Sequence, residues 1–137
     1  MEPKPPTTVH LSRRGPSSYE ATNARGVRLP IGGKDGFSPV ELLLAAVAGC
    51  SAVDVDVMTS RRAEPESFAV TASGRKVREG GNHLEDVEVV FRLRFPEGDA
   101  GDQARARIAP AVRASAERDC TVSRTVELPT PVTFTID

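Results

Sequence analysis

Tryptophan is absent from this chain, tyrosine occurs once, and phenylalanine five times in 137 residues. A core with so few aromatics has to be filled by Val, Leu, Ile and Ala. Only two cysteines, Cys50 and Cys120, and two histidines, His10 and His83, are present. These are too few and too scattered for a zinc site, so no metal is expected. Charge of one sign is not in excess either: 18 basic against 19 acidic residues give a formal charge of −1. That balance supplies no electrostatic reason to bind nucleic acid, and the pairs Arg13–Arg14 and Arg61–Arg62 read as solvated surface. The longest apolar run, Leu42 to Cys50, is about half the length a membrane span needs. Met1 to Thr8 is polar and proline-rich, unlike a secretory signal. The expectation is a soluble, cytoplasmic chain with no membrane partner, in a compartment where two cysteines rarely form a structural disulfide.

What is present is globular. Apolar residues make up 39% and charged residues 27%, values of one ordinary domain; we expect a single domain over 1–137, with 1–6 as a flexible tail. Three short alternating segments open it: Thr7 to Ser12, Ser17 to Thr22 after a Gly15-Pro16 turn, and Val27 to Ile31 after Gly26. They predict an antiparallel β-meander. Gly32-Gly33-Lys34-Asp35-Gly36 lacks the spacing and the Lys-Ser/Thr pair of a phosphate loop and reads as a connector.

Ser38-Pro39-Val40-Glu41 then combines an N-cap serine, proline at the first helical position and glutamate three residues after the cap. The run Leu42 to Val53 is apolar all round, which predicts a central helix buried on nearly every side and ending near Arg61-Arg62. Two strands follow, Phe68 to Val77 and His83 to Phe95, around Gly80-Gly81-Asn82. Val87, Val89, Phe91, Leu93 and Phe95 alternate with Glu88, Arg92 and Arg94, so one face packs inward and one meets water. A second helix is expected from Asp102 to about Arg118, kinked or broken at Pro110. A short turn or helix, Thr121 to Glu127, and a terminal strand, Val132 to Ile136, complete the order βββ-α-ββ-α-β. That order is α+β rather than doubly wound α/β.

Cys50, inside the apolar helix, fits either a small core hydrophobe or a reactive thiol. Cys120 lies in Arg118-Asp119-Cys120-Thr121-Val122-Ser123-Arg124; two flanking arginines suit a thiol of low pKa. A nucleophilic thiolate plus a second cysteine that captures its sulfenic acid is the minimum equipment of a thiol peroxidase. Glu41 is explained by the capping box alone. Nine residues separate it from Cys50, about 900° of rotation and some 13 Å of rise, so on one straight helix the two side chains point to opposite sides. If both serve one site, two chains meet there.

Ser38 to Cys50, with the continuation Ser51-Ala52-Val53-Asp54-Val55, closely resembles the "sPxELLLxAlxgC" signature of the OsmC/Ohr family, its YhfA-like branch in particular. Asp119-Cys120-Thr121-Val122-Ser123 resembles the family's second motif, usually "YCxVS", and the resemblance spans nearly the whole chain. It implies an OsmC-like α+β fold: an N-terminal antiparallel β-meander, a long buried central helix and a second antiparallel sheet with helices, in an intertwined homodimer with two sites at the interface. It also implies a peroxidase in which an organic hydroperoxide oxidises Cys50, Cys120 resolves the product as a disulfide, and a dithiol, lipoyl groups in the Ohr branch, reduces it with no bound cofactor. An Arg–Glu pair holds the thiolate in such enzymes. Glu41 fills the acidic place as in the YhfA-like branch, one residue later than in the other branches, which leaves Val40 there. The cation is Arg28 by one placement and Arg13 by another. Asp119 stands where the motif has Tyr. A reading of another class remains beside this one: a non-catalytic dimer that binds a small apolar or thiol-reactive ligand, or senses redox state.

Overall fold

The structure is a computed structural model and describes residues 2–137. Its secondary structure is mixed, α+β, and its contacts divide it into two compact units, Met1–Leu43 and Leu44–Asp137.

In the first unit β1 (Val9–Gly15), β2 (Ser18–Asn23) and β3 (Arg28–Gly32) form an antiparallel meander in that order. The Gly15-Pro16 turn closes through Ser17 at φ 55. The second turn closes through Asn23, whose Oδ1 accepts from the backbone of Arg25 and Val27, both at 3.0 Å. Such an Asx contact is why a short polar residue sits there. The glycine loop leads to Ser38, and the capping box forms in both directions: Glu41 N–H donates to Ser38 Oγ at 3.1 Å, and Ser38 N–H to Glu41 Oε1 at 2.8 Å. Helix α1 (Pro39–Thr59) starts there.

The rest of α1 belongs to the second unit. Val47, Ser51, Val55 and Thr59 are its buried residues; spaced by four, they make one stripe down the helix. Burial on nearly every side, as the composition suggested, is therefore met on one stripe only within this chain. Val53 stays 64% exposed and Val57 51%. α1 has 21 residues, and an 18-residue window of it has a mean hydropathy of 1.7, so by length and composition alone it is long and apolar enough to cross a membrane.

β4 (Ser67–Val77) and β5 (His83–Arg94) pair antiparallel over their whole length. The register slips between Ser73 and Arg75, opposite Asp86 at φ 54. This bulge adds one residue to β5, so Leu84 and Val87 fall on the same face although their numbers differ by three. Gly74 faces both: a Cβ there would lie 3.3 Å from Leu84 Cδ1 and 3.4 Å from Val87 Cγ2.

Helix α2 (Asp99–Ala114) buries small residues, Gly101, Ala104 and Ala111. Pro110 neither breaks nor ends it; the irregularity comes later, as a π turn over Ser115–Asp119. The wide turn is closed by Cys120 N–H on the Ser115 carbonyl, 2.9 Å, and delivers an extended Cys120 to the start of α3 (Thr121–Glu127). The terminal strand expected at Val132 to Ile136 is absent: 129–137 has no regular structure. Its alternation is real, yet among the described residues no strand pairs with it, and Val132, Phe134 and Ile136 are 73%, 89% and 99% exposed.

Candidate active site

Cys50 lies in the middle of α1 and Cys120 at the head of α3, both in the second unit and both free thiols. Tertiary folding brings them near enough for each sulfur to shift the acidity of the other. Their surroundings differ. Cys50 is half-buried, while Cys120 has no exposed surface.

Cys120 takes the N-cap position of α3, where Ser, Thr, Asp or Asn is the usual residue. Its Sγ accepts from Ser123 N–H at 3.3 Å. Ser123 Oγ lies 3.1 Å away and Ser51 Oγ donates from α1 at 3.5 Å. As a thiol the sulfur donates to Ser123 Oγ; as a thiolate it accepts from both hydroxyls and the amide. Burial pushes the Cys120 thiol up, but the Ser123 hydroxyl, the Ser51 hydroxyl, the Ser123 amide and the Cys50 thiol together bring it below its ordinary value. Cys50 moves the other way. The Val122 backbone amide draws it down, and burial, the Cys120 sulfur and the Asp54 carboxylate outweigh that and raise it. Asp54 is one turn further along α1 and accepts from Ser115 Oγ at 2.8 Å, a second tie between α1 and the segment that carries Cys120.

The two arginines flanking Cys120 do not act as their sequence position suggested. Arg118 pairs with Asp119 at 3.1 Å and Arg124 with Glu127 at 3.0 Å. Hydroxyls and an amide do the work instead. The sequence held one trace of this: Ser123 is three residues after Cys120, the reach of an N-cap contact. Ser51 and Asp54 stood only within the continuation of the first motif, with no role attached, and nothing marked Ser115.

Beside the thiols is a cleft of about 350 Å³ lined by Val47, Val87, Phe91 and Val126, together with Ser51 and Ser123. An apolar cleft with few converging polar groups suits a small apolar ligand. The serines that hold Cys120 are thus also part of its wall.

The remaining candidates lie in the first unit. Glu41 is engaged in the capping box. Arg28, on β3, is 72% exposed and 3.9 Å from Glu20, whose carboxylate is bonded by Arg14. Arg13 is exposed on β1, opposite Tyr19.

The OsmC-like protein family matches residues 32–135, a span that includes both cysteines. No curated protein matches the sequence significantly. Among solved structures, a hypothetical protein of Aquifex aeolicus VF5 is similar with a TM-score of 0.73 at 22% identity, covering 90% of this chain and 89% of that one. An OsmC-like protein of unknown function from Vibrio cholerae gives 0.75 at 11% identity, over 90% and 95%. The organic hydroperoxide resistance protein OhrB of Bacillus subtilis gives 0.53 at 19% identity, over 88% and 90%. At these identities the likeness is one of fold, while the family match covers most of the sequence: the chain belongs to the OsmC-like family.

Proposed function

We propose that this protein is a thiol-dependent peroxidase that reduces organic hydroperoxides in the cytoplasm. The observation that carries the reading is the pairing of a half-exposed Cys50 with a buried Cys120 brought from 70 residues away in sequence, Cys120 − Cys50. The Cys50 thiolate attacks a peroxide oxygen, the O–O bond breaks, and the alcohol leaves with a proton while Cys50 becomes a sulfenic acid. The Cys120 thiolate then displaces hydroxide from that sulfur, which leaves as water after protonation, and the disulfide forms. A dithiol, lipoyl groups being one candidate, returns both cysteines to thiols. The neighbouring apolar cleft favours alkyl peroxides over hydrogen peroxide, and the fold shared with OhrB, named for organic hydroperoxide resistance, supports the same substrate class.

Burial, the Cys120 sulfur and Asp54 make Cys50 a poor thiolate within this chain, so the reaction needs a cation. We assign that role to Arg28, with Arg13 as the alternative, oriented by Glu41. Because Glu41 and Cys50 project from opposite sides of α1, the site is completed by a second copy in a homodimer. The exposed Val53 and Val57 on α1 and the unpaired apolar tail give such a partner something to cover.

The test is consumption of cumene hydroperoxide with a dithiol reductant by wild type, Cys50→Ser and Cys120→Ser. Turnover by wild type and none by Cys50→Ser supports the reading. Wild type no faster than either variant sinks it and favours the second reading, a non-catalytic dimer that binds a small apolar or thiol-reactive ligand, for which the same cleft is the supporting observation.

A further inference from the structure

We infer that the Cys50–Cys120 disulfide is reduced in one direction: the dithiol attacks Cys50, and Cys120 leaves as a thiolate held by the positioning residues Ser51 and Ser123. The inference rests on the disulfide reading above and extends it to the regiochemistry of the reductive step.

Three observations set the direction. Access comes first: Cys50 is half-exposed and Cys120 fully buried, so an incoming thiolate reaches only the Cys50 sulfur. Stabilisation of the leaving group comes second. Ser51 Oγ, Ser123 Oγ and Ser123 N–H surround Cys120 Sγ at 3.5, 3.1 and 3.3 Å, and the sulfur that better carries the charge leaves faster. Third, the one carboxylate acting on the pair, Asp54, opposes charge on Cys50. The charged side chains flanking Cys120 pair with their own neighbours, Arg118 with Asp119 and Arg124 with Glu127. The direction of the two thiols' pKa displacements agrees with this division.

A thiolate of the dithiol forms a bond to Cys50 Sγ, the Sγ–Sγ bond breaks, and its electron pair goes to Cys120 Sγ. The second thiol of the reductant then attacks the mixed disulfide at its own sulfur, closing a cyclic disulfide and expelling Cys50, which takes up a proton. The protein gains two electrons and the dithiol is oxidised. Cys120 therefore never carries the reductant.

To test this independently of peroxidase activity, the disulfide is made with diamide, treated with limiting 2-mercaptoethanol, quenched in acid and mapped by peptide mass spectrometry. The expected adduct is on Cys50, with Cys120 free. An adduct on Cys120, or equal amounts on both, overturns the inference, and so does failure of diamide to form the disulfide. If the mapping places the adduct on Cys50 while hydroperoxide is not consumed, the inference stands and the peroxidase reading falls. A second readout follows thiolate absorbance of Cys120 in a Cys50→Ser background. Ser123→Ala and Ser51→Ala should each move thiolate formation to higher pH, and in the two-cysteine protein each should slow disulfide reduction by about tenfold, the loss of one hydrogen bond to a charged group. Ser123→Thr keeps a hydroxyl and should restore the wild-type titration. A titration unmoved by both alanine variants would rule out the positioning role.

Discussion

A sulfur atom at a helix N-cap is an unusual occupant for a place that normally takes oxygen, and it explains how two cysteines in one fold acquire opposite characters. The same local reasoning applies to His83, where Nδ1 meets the Gly81 carbonyl and Nε2 meets Glu85 Oε2, both at 2.7 Å. The Gly81 carbonyl first, then Glu85, holds its pKa above the ordinary value. A raised folded-state value means that protonated His83 stabilises the fold. That contribution is complete below the unfolded value of about 6.5 and is lost as pH rises through the higher folded one. Replacing His83 by Gln should thus destabilise the protein at pH 5.5 and make no difference at pH 9, read from urea midpoints at the two pH values. A gap that persists at pH 9 would mean that packing rather than charge sets the effect.

Among the elements, α1 carries a cap at Glu41 that one substitution can separate from the role proposed for the same residue. Glu41→Gln keeps an acceptor for Ser38 N–H, so helix stability should change by only a few tenths of a kcal/mol, whereas Glu41→Ala loses that side of the box and should cost about 1 kcal/mol. If Glu41 also orients the cation beside Cys50, peroxide turnover falls more than about tenfold in both variants, since either one loses a charge-assisted contact. Turnover that survives in Glu41→Gln would confine Glu41 to its cap. Helix α2 offers a contest of signs at Gly101. Alanine is the better helix former by about 1 kcal/mol, but a Cβ at Gly101 would overlap the Pro96 carbonyl, which Arg105 Nη1 also grips at 3.3 Å. Overpacking of this kind costs roughly 1–3 kcal/mol. Gly101→Ala should therefore lower the urea midpoint with an unchanged slope; a rise in the midpoint would mean that the turn yields freely.

At the scale of the whole molecule, the distribution of apolar surface is the fact that needs an outlet. Val53 and Val57 are one turn apart on α1, and in the tail Val132, Phe134 and Ile136 are exposed. We expect a dimer in solution, with a mass of two chains by sedimentation equilibrium. Val53→Asp should dissociate it and abolish turnover. On a monomer the same exposed substitution would change stability by no more than about 0.5 kcal/mol, and a wild type of single-chain mass would end the homodimer proposal.

The elements were legible because their signals are local. The capping box at Ser38 to Glu41 placed the start of α1, the period of two in β5 placed a strand, and Thr121 to Glu127 followed from the turn at Cys120. Both cysteines stood out as candidates from residue type and motif, and the fold places them in one unit. The terminal strand was not legible, because alternation specifies which side of a strand is apolar but not whether another strand is there to bond it. Nor was Pro110 a break, since the loss of one N–H can be absorbed inside a helix held at both ends, and the π turn that replaced it five residues later has no sequence signal. The difference in burial and hydrogen bonding between Cys50 and Cys120 was decided only in three dimensions. It depends on Ser51 and Ser123, from different helices, converging on one sulfur, and on one thiol being sealed from water while the other is not. Thiol acidity is set by the nearest few donors and by solvent, and residues far apart in sequence become neighbours only when the chain has folded.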